Sequence, residues 1–242
     1  MRIRLRPWLF RVGHEVRDLL LPAVCPLCRE TAAGADGGPC VGCGAGLAEI
    51  PAPCCPGCGG ANNGVLERCA DCLEAEPRPW ALAVSVFPFN GPVRACIHQL
   101  KYRSGPELAP WLAARMTTRW RHCGGGLPDA VVPVPLHWFK EWLRGYNQAE
   151  LLATRVAAGL ALPLLHPIRR RRWTRQQAKL HFKDRLNNLA DGFAVRPRAR
   201  PDGLHLLLVD DVMTTGATLA AATTALLRAG ARRVSVLTAA RG

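Results

Sequence analysis

No apolar run in this 242-residue chain approaches the ~20 residues that a membrane-spanning helix requires. Residues 1–22, MRIRLRPWLFRVGHEVRDLLLP, are basic and apolar, but they lack the clean apolar centre and small-residue cleavage site of a signal peptide. They read instead as a short basic amphipathic helix, and the expected location is the cytoplasm. A Gly-rich turn followed by Gly-Lys-Ser/Thr is also missing, which excludes a Walker A nucleotide loop. There is no internal repeat beyond a set of paired cysteines. Acids are scarce in one part of the chain only. Residues 1–80 hold 8 Lys/Arg and 9 Asp/Glu, whereas residues 81–242 hold 24 and 9, so the net charge of +14 belongs to the C-terminal part. Such a field implies polyanionic partners, nucleic acid or phosphorylated small molecules, or else serves solubility alone. Apolar residues make up 49%, enough for a substantial core in one large domain or a medium domain with a small one.

Nine of the 11 cysteines fall between Cys25 and Cys72. They form four C-x-x-C pairs, Cys25/Cys28, Cys40/Cys43, Cys55/Cys58 and Cys69/Cys72, separated by 11, 11 and 10 residues. A C-x-x-C knuckle sets two sulfurs on one tetrahedral ion, with the N–H groups of the turn aimed at the thiolates. Eight ligands in register predict two structural Zn²⁺ sites. A disulfide framework is the competing explanation, and the regular pairs with no secretory signal argue against it. Joining the first pair with the second and the third with the fourth closes the shorter loops. Cys54 is left over, although it could take the place of Cys55 as a ligand, and Cys96 and Cys123 read as buried thiols. Gly44 and Gly59 follow two knuckles, where a side chain would clash. The segment 23–79 is too poor in apolar side chains to fold without metal. It carries 3 Lys/Arg against 7 Asp/Glu, which suits a docking or structural module better than a phosphate clamp.

After the Pro-containing linker Glu74–Trp80, strand patterns alternate with helix patterns through residues 80–242. ALAVSVFPFN is a strand and VRACIHQLKYRS a helix. PELAPWLAARMTTRW is a helix, and DAVVPVPLH a buried strand stopping at Pro135. NQAELLATRVAAGLAL is a helix halted by Pro163, with Asn147 as its cap. LHLLLVDD, ATLAAATTALLRAG and RRVSVLTAA complete a strand, a helix and a strand. The alternation predicts an α/β fold, a mostly parallel sheet flanked by helices and preceded by the small Cys-rich module.

In such a sheet ligands bind beyond the carboxyl ends of the strands. Asp210 and Asp211 stand there, at the end of their strand. Thr214, Thr215, Gly216, Ala217 and Thr218 follow as a turn opening a helix, where main-chain N–H groups and hydroxyls suit a phosphate. Two acids beside that turn suit the vicinal hydroxyls of a ribose. An Asp cap and an ordinary turn would account for one acid, but not for two acids and T-T-G-x-T together.

LLLVDDVMTTGAT resembles the PRPP-binding signature of type I phosphoribosyltransferases. The resemblance implies that Asp210 and Asp211 hold ribose hydroxyls and that Thr214 to Thr218 hold the 5-phosphate. VVPVPLH is similar to that family's strand and pyrophosphate loop, which implies a loop at Pro135, Leu136 and His137. Joined to the C-x-x-C array, LKYRSG and VPVPLHWFKEWLRGYNQAELLA, the whole chain resembles the ComF family, linked to DNA uptake in natural transformation. Members carry T-x-x-Q before R-x-x-N; Thr174, Gln177, Arg185 and Asn188 fit, within an unusually basic stretch.

That stretch, residues 166–185, holds 8 Lys/Arg and one acid, half the net charge of the chain. Arg169, Arg170, Arg171, Arg172 and Arg175 with Trp173 and Phe182 provide what single-stranded DNA needs, cations for phosphates and rings for bases. The same place fits the flexible loop that closes over PRPP in the resembled family, and it fits a solvated basic hairpin. Near the pyrophosphate-loop candidate, Arg144 and Tyr146 read as lining a site. The resemblance implies a PRPP-binding, phosphoribosyltransferase-like domain that acts in DNA uptake with single-stranded DNA and a protein partner such as a helicase. The alternative is an active phosphoribosyltransferase using Mg²⁺ with PRPP or a related phosphorylated sugar, although no residue names an acceptor or a general base. The expected division is 1–22 basic helix, 23–79 double zinc ribbon and 80–242 phosphoribosyltransferase-like domain.

Overall fold

The computed structural model describes residues 24–102, 105–123, 126–170 and 192–242. The expected helix over 1–22, and Arg171, Arg172, Trp173, Thr174, Arg175, Gln177, Phe182, Arg185 and Asn188, lie outside the described residues. Two short helices, α1 (Val41–Gly44) and α2 (Ala70–Glu74), belong to the Cys-rich segment. Then come β1 (Leu82–Pro88), α3 (Gly91–Tyr102), α4 (Gly105–Cys123), β2 (Ala130–Pro133), α5 (Trp138–Arg144) and α6 (Gln148–Leu160). They are followed by β3 (Ile168–Arg170), β4 (Phe193–Val195), β5 (His205–Met213), α7 (Ala217–Arg228) and β6 (Arg233–Arg241). Four strands form one parallel sheet in the order β1-β6-β5-β2. β3 and β4 form a separate antiparallel pair that joins Arg170 to Phe193. No helix of the described residues is long and apolar enough to cross a membrane.

A parallel sheet with helices on both faces must bury both faces of each strand, and β5 does. Leu207 and Val209 pack with Ile97 of α3, Leu112 of α4 and Val156 of α6, whereas Leu206 and Leu208 pack with Leu219 and Leu226 of α7. Each of the three leucines of β5 is 0% exposed, and burying a side chain of this kind contributes about 1.5–3 kcal/mol. Helix α6 places Leu152, Val156 and Leu160 on one stripe at i, i+4, i+8. Its cap is the expected one: the Asn147 side chain accepts from the Ala149 N–H at 3.1 Å. It ends at Ala161 in the left-handed conformation, two residues before the proline expected to stop it.

The Cys-rich segment is tied along the outer edge of β1. Ile50 N–H donates to Val86 C=O and Ala83 N–H to Pro56 C=O, both at 2.8 Å. Gly59 has φ +68°, and a Cβ there would lie 2.8 Å from the backbone N of Ser85, so only glycine permits this approach. Gly44 has no such constraint; it closes α1 with space around it. On the helical side Gln99 donates to Leu27 C=O at 2.9 Å, and Arg115 pairs with Asp36 at 3.2 Å. The expected linker Glu74–Trp80 is likewise engaged, because Trp80 is buried and its indole N–H donates to Gly57 C=O at 2.9 Å.

Candidate functional site

The knuckles bring their sulfurs together as the shorter loops require. The Sγ atoms of Cys25, Cys28, Cys40 and Cys43 all lie within 4.8 Å of one another, and so do those of Cys55, Cys58, Cys69 and Cys72. Sulfurs on one tetrahedral zinc stand about 3.8 Å apart, given Zn–S of about 2.3 Å. Cys28 and Cys40 are 3.9 Å apart, and Cys58 and Cys69 3.7 Å. The N–H groups of Leu27 and Cys40 point at the Cys25 sulfur at 3.4 and 3.3 Å, and that of Cys69 at Cys55 at 3.4 Å. The donor set and its spacing fit structural zinc at both sites. Without a cation the clustered thiols titrate apart: backbone N–H donors at Glu30 pull Cys28 down to about 6, while burial pushes Cys43 up to about 12. Cys54 stands outside both sets and accepts from Arg119 at 2.7 Å.

Strand β5 does not stop at the acids. Its ladder with β6 continues through Asp210↔Thr238 to Met213↔Arg241, because backbone pairing outlasts the apolar run that ends at Val209. The two carboxylates have different surroundings. Asp211 is nearly buried and forms an ion pair with Lys101 of α3 at 3.0 Å. Asp210 accepts from the Asp211 N–H at 2.8 Å and lines a small pocket of about 60 Å³ with the Thr214–Thr218 loop. About 10–15 Å³ of such space holds one water, so the pocket admits a group larger than a water. Burial first, and then the Asp211 charge, pushes Asp210 up to about 8.

That shift gives a pH prediction. The folded value lies above the ordinary ~3.9 of an unfolded Asp, so the folded chain holds the proton more tightly. Asp210 therefore costs no stability below the unfolded value, and stability falls as pH rises from about 4 to about 8. In thermal melts at pH 6 and pH 9, Asp210→Asn is expected to lose less stability between the two pH values than wild type. Equal losses would mean that Asp210 ionises freely.

The loop itself is held from behind. Arg78 donates to Thr215 C=O at 2.8 Å and Arg241 to Thr214 C=O at 2.9 Å. Thr214 and Thr215 remain exposed. Gly216 takes φ +77° at the start of α7, and a Cβ there would lie 3.0 Å from the Trp80 ring. The turn is thus glycine-dependent, with exposed hydroxyl-bearing residues at a helix N-terminus, where the Thr215 hydroxyl accepts from the Ala217 N–H at 3.4 Å.

Beyond β2 lies a larger cavity of about 240 Å³. Pro135 and Leu136 line it, with Asn147, Arg169 and Arg170. His137 is not among its lining residues; its Nδ1 accepts from the Phe139 N–H at 3.3 Å and caps α5. Arg144 and Tyr146 do not line it either. Arg144 donates to Gln148 at 2.9 Å and the Tyr146 hydroxyl to Leu100 C=O at 2.6 Å, so both brace α6 against its neighbours. Pro133 pairs with Val209, which brings this cavity beside Asp210. Arg170 joins the two: its guanidinium stacks over Phe193 at 5.5 Å, and burial lowers its pKa against the pull of the Asp210 charge. Sequence reasoning missed Lys101, Arg78, Arg241, and the His166–Glu150 pair at 2.7 Å in the cavity wall.

A four-stranded parallel sheet between helices, a Thr/Gly loop after its acidic strand and a module with two Cys₄ sites define a type I phosphoribosyltransferase-like fold with an N-terminal zinc ribbon. The phosphoribosyl transferase domain family matches residues 144–242, and the double zinc ribbon domain family matches residues 16–73. DNA utilization protein YhgH of Salmonella typhi is 36% identical over 223 residues, 90% of this chain and 96% of that protein. Competence protein F of Haemophilus influenzae is 34% identical over 88% of this chain and 94% of its own. Competence protein ComFC of Bacillus subtilis is 29% identical over 79% and 78%. The chain belongs to the ComF/YhgH competence family. Among solved structures, purine phosphoribosyltransferase from Pyrococcus horikoshii Ot3 aligns over 55% of this chain and 73% of that one, at TM-score 0.37 and 17% identity.

Proposed function

We propose that this chain acts in DNA uptake and use in the cytoplasm, through a site that binds PRPP or a related phosphorylated sugar and a basic surface that binds single-stranded DNA. The observation that carries the ligand reading is the convergence of Asp210 and the Thr214–Thr218 loop on one small pocket beside the Arg170 cavity. Asp210 and Asp211 would take the ribose hydroxyls, the loop the 5-phosphate, and the segment at Pro135 and Leu136 the pyrophosphate. Mg²⁺, when bound with PRPP, would neutralise the pyrophosphate charge beside the two carboxylates. We divide the chain into a zinc module, 23–79, that docks a protein partner such as a helicase, and a ligand- and DNA-binding domain, 80–242. The names of the relatives, DNA utilization protein and competence protein, support the DNA role.

Phosphate contacts make single-strand affinity fall with salt by about 0.7 log unit per contact per log unit of salt. Neutralising Arg169, Arg170, Arg171 and Arg172 together is expected to flatten that slope. An unchanged slope and affinity, measured by fluorescence anisotropy across a salt series, would place the DNA surface elsewhere. Turnover is the second reading, and the His166–Glu150 pair favours it, because a carboxylate-oriented imidazole in the cavity wall supplies a candidate general base. Release of pyrophosphate from PRPP in the presence of nucleobases separates transfer from binding alone.

A further inference from the structure

Helix α5 carries its apolar side chains outward. Trp138, Trp142 and Leu143 are 70%, 75% and 68% exposed, whereas Trp80, Trp111 and Trp120 are each below 8%. Both outward indoles of the described residues are therefore on one two-turn helix. Positions 138 and 142 share a face at i, i+4. Phe139 links them, edge-on to Trp138 at 5.9 Å and stacked with Trp142 at 6.2 Å. The result is a continuous run of three rings on the surface.

The foot of this run is cationic. Trp138 lines the 240 Å³ cavity together with Arg169, Arg170 and Arg196. The acids on the same wall are Glu141 and Glu150, and Glu150 is bonded to His166. Arg170 is fixed over the Phe193 ring, which holds its guanidinium near the cavity. A protein partner would cover exposed indoles too, but three guanidinium groups beside them favour a ligand with both flat faces and regularly spaced anions. A nucleic-acid single strand has both.

We propose that α5 is a base-stacking platform, on which single-stranded DNA lays bases against Trp138 and Trp142 while its phosphates meet Arg169, Arg170 and Arg196. The proposal rests on the single-strand reading given above and fixes the surface that performs it. It assigns the stacking to rings outside the basic 166–185 stretch.

The test uses the full zinc-loaded chain and a fluorescent oligothymidine, with a second oligonucleotide that has the same backbone and abasic sites. Trp138→Ala with Trp142→Ala is expected to weaken binding by roughly 5- to 150-fold per stacked base. The salt slope stays as in wild type, because the phosphate contacts remain. Trp138→Phe with Trp142→Phe restores most of the affinity. Wild type is expected to lose a similar factor on the abasic strand, a measurement that needs no variant to fold. Unchanged affinity in the alanine variant, or equal binding of the abasic and normal strands by wild type, overturns the platform and leaves the DNA reading standing. A wild-type chain that binds no oligonucleotide overturns both. Sedimentation that shows a wild-type dimer and a monomeric alanine variant assigns the face to a second copy of the chain and overturns the platform as well.

Discussion

Stripping the metal is expected to unfold the N-terminal module and to release two zinc ions per chain. The buried apolar cluster of the second ribbon consists of Cys55, Cys58 and Cys72 themselves, with Cys69 packed on it. There is almost nothing else to hold it. A structural zinc supplies about 10–16 kcal/mol of apparent binding energy in finger peptides, several times what so small a core contributes. Cys72→Ser therefore abolishes the second site, and Cys25→Ser the first. Read from sequence, the module is expected to melt alone. The hydrogen bonds from Ile50 to Val86 and from Ala83 to Pro56, and the packing of Leu27 and Leu47 on the main core, carry the loss into β1 and α3. Hydrogen exchange is expected to accelerate at the Ala83 amide, which is bonded to Pro56 of the second site, in Cys72→Ser. Metal analysis returning fewer than one zinc per purified chain would end this account, and so would a Cys72→Ser variant whose Ala83 amide stays protected.

The second large effect is at the acids. Asp210→Ala with Asp211→Ala is expected to remove PRPP binding and to keep the fold. A hydrogen bond contributes about 0.5–1.5 kcal/mol, and about 1.5–3 kcal/mol where one partner is charged, so losing one neutral and one charged carboxyl costs roughly 30-fold or more. The variant also frees Lys101 from its 3.0 Å partner, which adds a cation to a site that receives an anion. Inorganic phosphate is therefore expected to bind the double variant as well as wild type, or better. Calorimetry with both ligands separates the two outcomes. PRPP bound as well as before would make the loop a phosphate sink with no grip on the ribose, and wild type binding neither ligand would end the phosphoribosyl reading.

The features legible in the sequence are those with local causes. Cysteine spacing dictated which sulfurs meet, because a knuckle is a four-residue object. Asn147 showed itself as a cap, and the apolar periods of α6, β5 and α7 gave their elements. Helix α5 was hidden because periodicity detects burial, and Trp138, Trp142 and Leu143 bury little. The β3–β4 pair was hidden in a run of charge, although Ile168 and Phe193 are its buried sides. Apolar content also ends β5 too early, since Asp210 and Asp211 are carried in the strand by pairing with β6. The partners of the site come from far away in the chain: Lys101 from α3, Arg78 from the linker and Arg241 from the last strand. No sequence pattern encodes such distant meetings, since they follow only from the way the sheet is closed.

Trp80 has a place in two structures at once. Its indole N–H is held by the Gly57 carbonyl inside the third knuckle, between Cys55 and Cys58, and its ring is the nearest obstacle to a side chain at Gly216. Arg78, two residues earlier, lies over the same ring at 5.6 Å and grips the loop at Thr215. Zinc at one end and an anion at the other would therefore bear on a single side chain. Thermodynamic reciprocity would then apply: whatever factor zinc conferred on phosphate affinity, bound phosphate would return to zinc affinity.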